Sequence, residues 1–241
     1  MCVLELKEVN STNSYAMKGI ADFEDKTVII ADKQTDGHGR FNRKWISDIP
    51  ENLYMSIVLK PSNKLSKDLP IANLTQYLSV VIIDTLEDYG IDAAIKWPND
   101  VLVDGKKISG ILCESSVKGD KLNGVVLGAG INLNLEKNIL AQIDQPATAL
   151  NLELGRAVDK KEFSDKLLKN FFECYDEFMA QGFNYIKDKY TKRCGFIGKE
   201  VTVKNPGNIQ TGIAEKINED GSLLLKTKDE ESIIMIGDII C

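Results

Sequence analysis

Apolar residues recur along the chain with two different periods, and the changes between them outline the elements. Leu74, Tyr77, Leu78, Val81, Ile82, Leu86 and Tyr89 follow the i, i+3, i+4 spacing of one helical face. With Gly90 as a terminator, this predicts a helix over 66–90. Phe163, Leu167, Phe171, Phe172, Tyr175 and Phe178 give a second stripe over 159–180, opened by Asp159 and Glu162 in the manner of a capping box. Shorter helices are expected over 10–21, which begins with capping residues, and over 184–192. Compact apolar runs at 27–32 and 53–61 predict buried strands, the second stopped by Pro61. The runs 94–103 and 106–115 flank Asp104-Gly105, a strong signal for a two-residue hairpin turn, and a further strand is expected over 124–134. Residues 136–155 are weakly patterned and read as loop with a short helix. Near Gly195 the pattern changes to short alternating strands punctuated by Pro206-Gly207 and Asp220-Gly221, the spacing of a small β-barrel. The fold class is therefore α+β over 1–193, a sheet packed with helices, followed by a small all-β domain over 194–241.

Composition narrows the function. The chain has 241 residues and a formal net charge of -6, which argues against wholesale DNA binding. No helix-turn-helix segment precedes the first motif, so no operator binding is expected. No apolar run approaches the roughly 20 residues of a membrane span, and the N-terminus lacks a secretory pattern. A cytoplasmic protein with no membrane partner is expected. The cysteines Cys2, Cys113, Cys174, Cys194 and Cys241 are scattered, and His38 is the only histidine. A zinc site and a Ser-His-Asp triad are both improbable on that ground.

Three segments carry candidate chemistry. In the expected hairpin, Val103 pairs with Lys106, Leu102 with Lys107 and Asp100 with Ser109, so Asp100, Leu102, Lys107 and Ser109 project to one side. Asp100 and Lys107 would then face one ligand, although a structural ion pair is the competing reading, and alternation alone leaves both open. In 124–134, Val126, Gly128, Gly130, Asn132 and Asn134 share a face, which suggests a floor for a ligand with polar ends. In "TDGHGRFNRKW" (35–45), Gly37 and Gly39 let amides turn toward an anion, and Arg40, Arg43 and Lys44 supply charge. Taken alone, that loop is no more than a solvated basic segment.

Taken together, and in this order, the segments resemble a biotin–protein ligase. "NSTNSYA" is similar to the family's early S-T-N segment, and the basic loop to its G-R-G-R-x-x-R-x-W motif. "KWPNDVLVDGKKISGIL" and "GAGINLN" resemble the strands that follow, and the tail resembles the family's SH3-like domain. The resemblance implies a class II synthetase-like ligase domain with a mixed or antiparallel sheet. It also implies a two-step reaction in which biotin and ATP, with Mg2+, give biotinyl-adenylate, and a lysine of a biotin carboxyl carrier protein domain then takes the biotin. On this reading Ser11, Thr12, Asn13 and Gln34 bind the ureido head. Gly37, His38, Gly39, Trp45 and Gly110 line the biotinyl-adenylate site, Lys107 meets the carboxylate and then the phosphoryl group, and Arg40 stabilises charge as pyrophosphate leaves. Asn132 would face the nucleotide. Asn99 and Asp100 would contact magnesium or, in the case of Asp100, steer the incoming lysine.

Two positions depart from the motif: His38 stands where its first arginine is expected, and Asn42 where glycine is common. A neutral imidazole offers one donor where guanidinium offers five. The rivals are a lipoate–protein ligase, a non-catalytic biotin-binding regulator on the same scaffold, and acyl transfer through Cys113. The last lacks a histidine partner, and Cys113 reads as an ordinary half-buried residue. A homodimer through sheet edges, as in relatives, is compatible with the pattern.

Overall fold

The structure, a computed structural model, describes residues 2–61, 70–205, 207–228 and 230–240. The expected helix start at 66–69, Pro206 and Cys241 lie outside the described residues. The larger sheet holds strands β1 (Cys2–Val9), β2 (Thr27–Gln34), β3 (Leu53–Leu59), β4 (Ala94–Lys96), β5 (Asp100–Val103), β6 (Lys106–Lys118) and β7 (Lys121–Ile131). Its order is β1-β2-β3-β7-β6-β5-β4, with β1 and β2 parallel and the other pairs antiparallel. Helix α1 (Thr12–Lys18) lies on one face through Ala16, beside Ile29, Val58 and Val126. Helices α2 (Leu74–Glu87) and α5 (Lys160–Gln181) cover the other face. There Tyr77 stacks on Phe178 with ring centroids 4.4 Å apart, and its hydroxyl donates to Phe171 O at 2.5 Å. Burying each such aromatic contributes on the order of 1.5–3 kcal/mol. The hydroxyl therefore needs its buried acceptor.

The connecting helices are short: α3 (Lys137–Leu140), α4 (Leu150–Leu154) and α6 (Lys187–Lys192). The second sheet contains β8 (Glu200–Asn205), β9 (Asn208–Ile217), β10 (Leu223–Lys226), β11 (Glu231–Ile234) and β12 (Asp238–Ile240), in the order β11-β10-β9-β8-β12. Its inward residues Val203, Leu223, Leu225 and Ile239 belong to the same buried cluster as Trp97, Tyr190 and Phe196. The two sheets therefore share one hydrophobic interior.

Several expectations held at the level of individual residues. Asp104 and Gly105 have φ of 48° and 75°, the two positive values of a type I′ hairpin turn. The Asp159 carboxylate accepts from the Glu162 amide at 2.9 Å and caps α5. Others differ. Strand β1 carries no clean alternation, because it is an edge strand with much of its length exposed, and the pattern did not predict it. The run 94–103 is two strands, since Trp97–Asn99 turn the chain back and pair Lys96 with Asp100. The stretch expected to be a helix over 66–90 opens, in its described part, with a 3-10 turn at Pro70–Asn73 before α2.

Candidate active site

One cleft gathers Ser11, Thr12, Asn13, Gln34, His38, Gly39, Arg40, Trp45, Asn99, Asp100, Lys107 and Gly110. They come from the start of α1, the end of β2, the basic loop and the β5–β6 hairpin. Sequence reasoning predicted all of these. Gly37 and Asn132, expected with them, do not line it.

The α1 end of the cleft is neutral and closely tied. Ser11 caps α1, accepting from the Ser14 amide at 3.4 Å. Gln34 Oε1 accepts from the Thr12 amide at 2.8 Å, which orients the Gln34 side chain. Among the described residues the Gln34 amide nitrogen makes no hydrogen bond, so it is the donor left for a ligand. Ser56, fully buried in the middle of β3, places its hydroxyl 2.6 Å from Asn13 Oδ1 and 2.8 Å from Thr12 Oγ1. One hydroxyl proton serves one acceptor, and the Asn13 oxygen can only accept. Asn13 Nδ2 donates to Glu114 Oε2 at 2.9 Å and Leu112 O at 3.3 Å. With its oxygen and both amide protons engaged, Asn13 holds its neighbours in place.

The other end is charged. The side chains of Lys107 and Asp100 meet at 2.8 Å, with 15% and 14% of their surfaces exposed. That distance reflects a contact between charges, since Asp100 Oδ1 lacks a well-directed hydrogen bond. Arg40 Nη1 donates to Asp238 Oδ1 at 2.7 Å, Gly237 O at 3.0 Å and Asn99 Oδ1 at 3.2 Å. Arg43 Nη2 lies 2.9 Å from Asp238 Oδ2. Burial pushes the Arg40 guanidinium below its usual range, Asp238 and Asp100 oppose this, and Arg43 adds to it. Arginine stays charged through such shifts. Trp45 lies across the cleft, its ring 5.3 Å from Lys107 Nζ. His38 Nδ1 sits 3.1 Å from Asp36 O, which leaves the other ring nitrogen for a ligand.

Three expectations require correction. The hairpin contains a bulge: Leu102 pairs with Lys107 but Val101 with Ser109, so Asp100 lies opposite Gly110 and Ser109 does not share its face. Ser109 instead donates to Gly130 O at 2.9 Å. The Lys107 amide donates to Pro146 O at 2.8 Å and its carbonyl accepts from the Thr148 amide at 2.9 Å, so the weakly patterned 136–155 region braces this lysine. Gly128 and Gly130 of β7 do line the cleft, and they also make room for the protein's own side chains, but the asparagines on that face do not belong to the floor. A Cβ on Gly128 would lie 2.0 Å from Asn13 Oδ1, and one on Gly130 would lie 2.5 Å from the Trp45 ring. The asparagines are ties: Asn132 donates to Thr148 O at 2.9 Å and Asn134 to Val158 O at 2.9 Å. Gly37 is packed under Ser47, whose Oγ a Cβ would approach to 2.2 Å.

Asn99 and Asp100, expected near magnesium, are both tied to protein partners. The Asn99 oxygen is committed to Arg40, its nitrogen donates to Ile111 O at 3.0 Å, and Asp100 touches Lys107. Magnesium that arrives with a nucleotide takes most of its oxygen ligands from phosphates and water and needs only one or two carboxylates from the protein. Among the described residues no group of three or more His, Cys, Asp or Glu side chains could hold a metal. Cys113 is half-buried, and burial pushes its thiol up to about 12, which disfavours the thiolate that an acyl-transfer nucleophile needs. Sequence reasoning missed Ser56, Glu114 and Asp238. Ser56 carries a signal, as the one serine in a wholly buried strand; Asp238 in "MIGDII" carries none, because its partners are nearly two hundred residues away.

The Biotin/lipoate A/B protein ligase family pattern matches residues 6–132, and that of the Biotin protein ligase C terminal domain matches 196–241. The chain is similar to the Bifunctional ligase/repressor BirA of Bacillus subtilis, at 34% identity over 88% of this chain and 65% of that protein's length. It therefore spans just under two thirds of that relative. It is 29% identical to the Biotin--[acetyl-CoA-carboxylase] ligase of Paracoccus denitrificans, over 97% of this chain and 98% of the other. Among solved structures, a biotin protein ligase from Aquifex aeolicus in complex with biotin and ATP superposes with a TM-score of 0.81 at 31% identity, covering 99% of this chain and 97% of that one.

Proposed function

Because the chain belongs to the biotin/lipoate A/B protein ligase family, we propose that it is a biotin–protein ligase which activates biotin with ATP and passes it to a lysine of a biotin carboxyl carrier protein domain. On this reading residues 1–193 hold the ligands and residues 194–241 close the site. The observation that carries it is the two-ended cleft. A neutral end offers the Ser11 hydroxyl and the Gln34 amide to a polar, uncharged head group. Elsewhere in the same cleft, Lys107, Arg40 and Arg43 offer positive charge.

In the first step the biotin carboxylate oxygen attacks the α-phosphorus of ATP. The bond from that phosphorus to the bridging oxygen breaks, and pyrophosphate leaves with the electron pair. Lys107 draws the carboxylate into place and then neutralises charge on the phosphoryl oxygens. Arg40 faces the charge that builds as pyrophosphate departs, in a partly buried site where such donors act strongly. In the second step a neutral lysine amine of the carrier attacks the acyl carbon, AMP leaves and the nitrogen loses a proton. Asp100, beside Lys107, draws in the carrier lysine as an ammonium, which gives up one proton to solvent before its neutral amine attacks.

ATP–pyrophosphate exchange measured in parallel with biotin, lipoate and octanoate, on wild type and Lys107→Ala, tests this. Exchange with biotin alone, lost in Lys107→Ala, is expected. Exchange with lipoate but not biotin would overturn the specificity. An absence of exchange would favour a binding protein.

A further inference from the structure

Asp238 belongs to the C-terminal sheet, yet its carboxylate ends inside the cleft. Its side chain is 13% exposed and touches both arginines of the basic loop, Arg40 through Oδ1 at 2.7 Å and Arg43 through Oδ2 at 2.9 Å. A carboxylate at the mouth of an anion site opposes anion binding unless it does something else, and burying it is costly unless it is well paired. The arrangement of Arg40 shows what that is. A guanidinium presents five N–H donors in a rigid plane. Among the described residues only Nη1 is engaged in hydrogen bonds, by Asp238, Gly237 O and Asn99. The fork is gripped at one corner, and its Nε and Nη2 edge is left for a ligand. Gly237 contributes by having no side chain: a Cβ there would lie 2.8 Å from Val203 Cγ1, so only glycine lets the backbone come in to present its carbonyl. With Lys107 and Asp100 balancing each other, the arginines outnumber Asp238 and the cleft mouth stays cationic.

We propose that Asp238 is a positioning residue that reaches from the C-terminal sheet to fix Arg40 and Arg43, closing the basic loop over the phosphates of a bound nucleotide and coupling nucleotide affinity to the docking of that sheet. The proposal deepens the ligase reading and rests on its nucleotide site. Coupling of this kind is reciprocal, so ATP must tighten the docking as much as docking tightens ATP.

The test uses the full chain as wild type, Asp238→Asn, Asp238→Glu and Asn73→Ala. The last removes a tie between the same two regions away from the cleft, Asn73 Nδ2 to Asp220 O at 2.9 Å. ATP affinity is read by titration calorimetry without biotin, KM for ATP and for biotin by pyrophosphate exchange, and docking by the rise in melting temperature that ATP produces. Asp238→Asn should weaken ATP by about tenfold, equivalent to roughly 1.4 kcal/mol. It should leave the KM for biotin within about twofold and shrink the ATP-dependent rise in melting temperature. Asp238→Glu should recover part of the ATP affinity. Unchanged ATP affinity in Asp238→Asn overturns the proposal. So does an equal loss toward ATP and biotin matching that of Asn73→Ala, which would make Asp238 a general packing residue. If wild type binds ATP in the titration but shows no exchange with biotin, the ligase reading fails, while the titration still decides the role of Asp238.

Discussion

At the α1 end of the cleft, Asn13 is held by Ser56, Glu114 and the Leu112 carbonyl. At the loop end, Arg40 is held by Asp238, Gly237 and Asn99. Each end orients groups before a ligand arrives, but by different means. The first uses short hydrogen bonds among neutral or singly charged groups within one sheet and its adjoining helix. The second uses charges drawn from both sheets, with the basic loop between them. Hydrogen bonds in a buried network resist salt and transmit small displacements directly. Ion pairs at a cleft mouth tolerate movement and weaken with ionic strength. Such a division suits a ligand whose head must be read by shape while its reacting end changes charge.

Substitutions can break either end separately. The largest effect is expected at the charged end, where Arg40→Ala should lower the rate of biotin-dependent pyrophosphate exchange by about 100–1,000-fold, as for removal of a donor aimed at developing charge. The KM for biotin should change far less. At the neutral end, Gly128→Ala places a methyl 2.0 Å from Asn13 Oδ1 and must expel that side chain. Its KM for biotin should rise by about tenfold or more, equivalent to at least roughly 1.4 kcal/mol, with ATP affinity by calorimetry intact. Ser56→Ala is milder. It leaves the Asn13 oxygen unpaired and should cost about 1–3 kcal/mol in urea unfolding, with a smaller rise in KM for biotin.

The smallest effect concerns the sulfur beside these ties. Cys113 follows Leu112 on β6, and burial raises its thiol to about 12 against roughly 8.5 when unfolded. The folded state therefore favours the neutral thiol. Its contribution to stability is complete below pH of about 8.5 and declines as pH rises toward 12. In native protein at pH 9, a disulfide reagent should label exposed Cys2 readily and half-buried Cys113 much more slowly. Fast labelling of Cys113 would show that the neutral end opens more readily than its hydrogen bonds imply.

Local pattern and chemistry determined a good deal of this. The stripes of α2 and α5, the Asp104-Gly105 turn and the Asp159 cap depend on neighbours within a few residues, so they could be read directly. The cleft residues Ser11, Thr12, Gln34, Arg40, Asp100 and Lys107 were legible because the motifs appear in a recognisable order, although each motif alone was weak. What tertiary structure decided has a common cause, since it depends on contacts between distant segments. The glycines of β7 are explained by Asn13 and Trp45, residues on other elements that approach them too closely for a Cβ. Asn132 and Asn134 serve loops that fold back on them, which no alternation along one strand could reveal. The hairpin carries a bulge that its Asp104-Gly105 turn does not announce, and the Lys107 backbone is braced by a segment some forty residues further on. Asp238 is the extreme case: a lone acidic residue in a short strand, given its meaning only when the second sheet docks and brings it to Arg40.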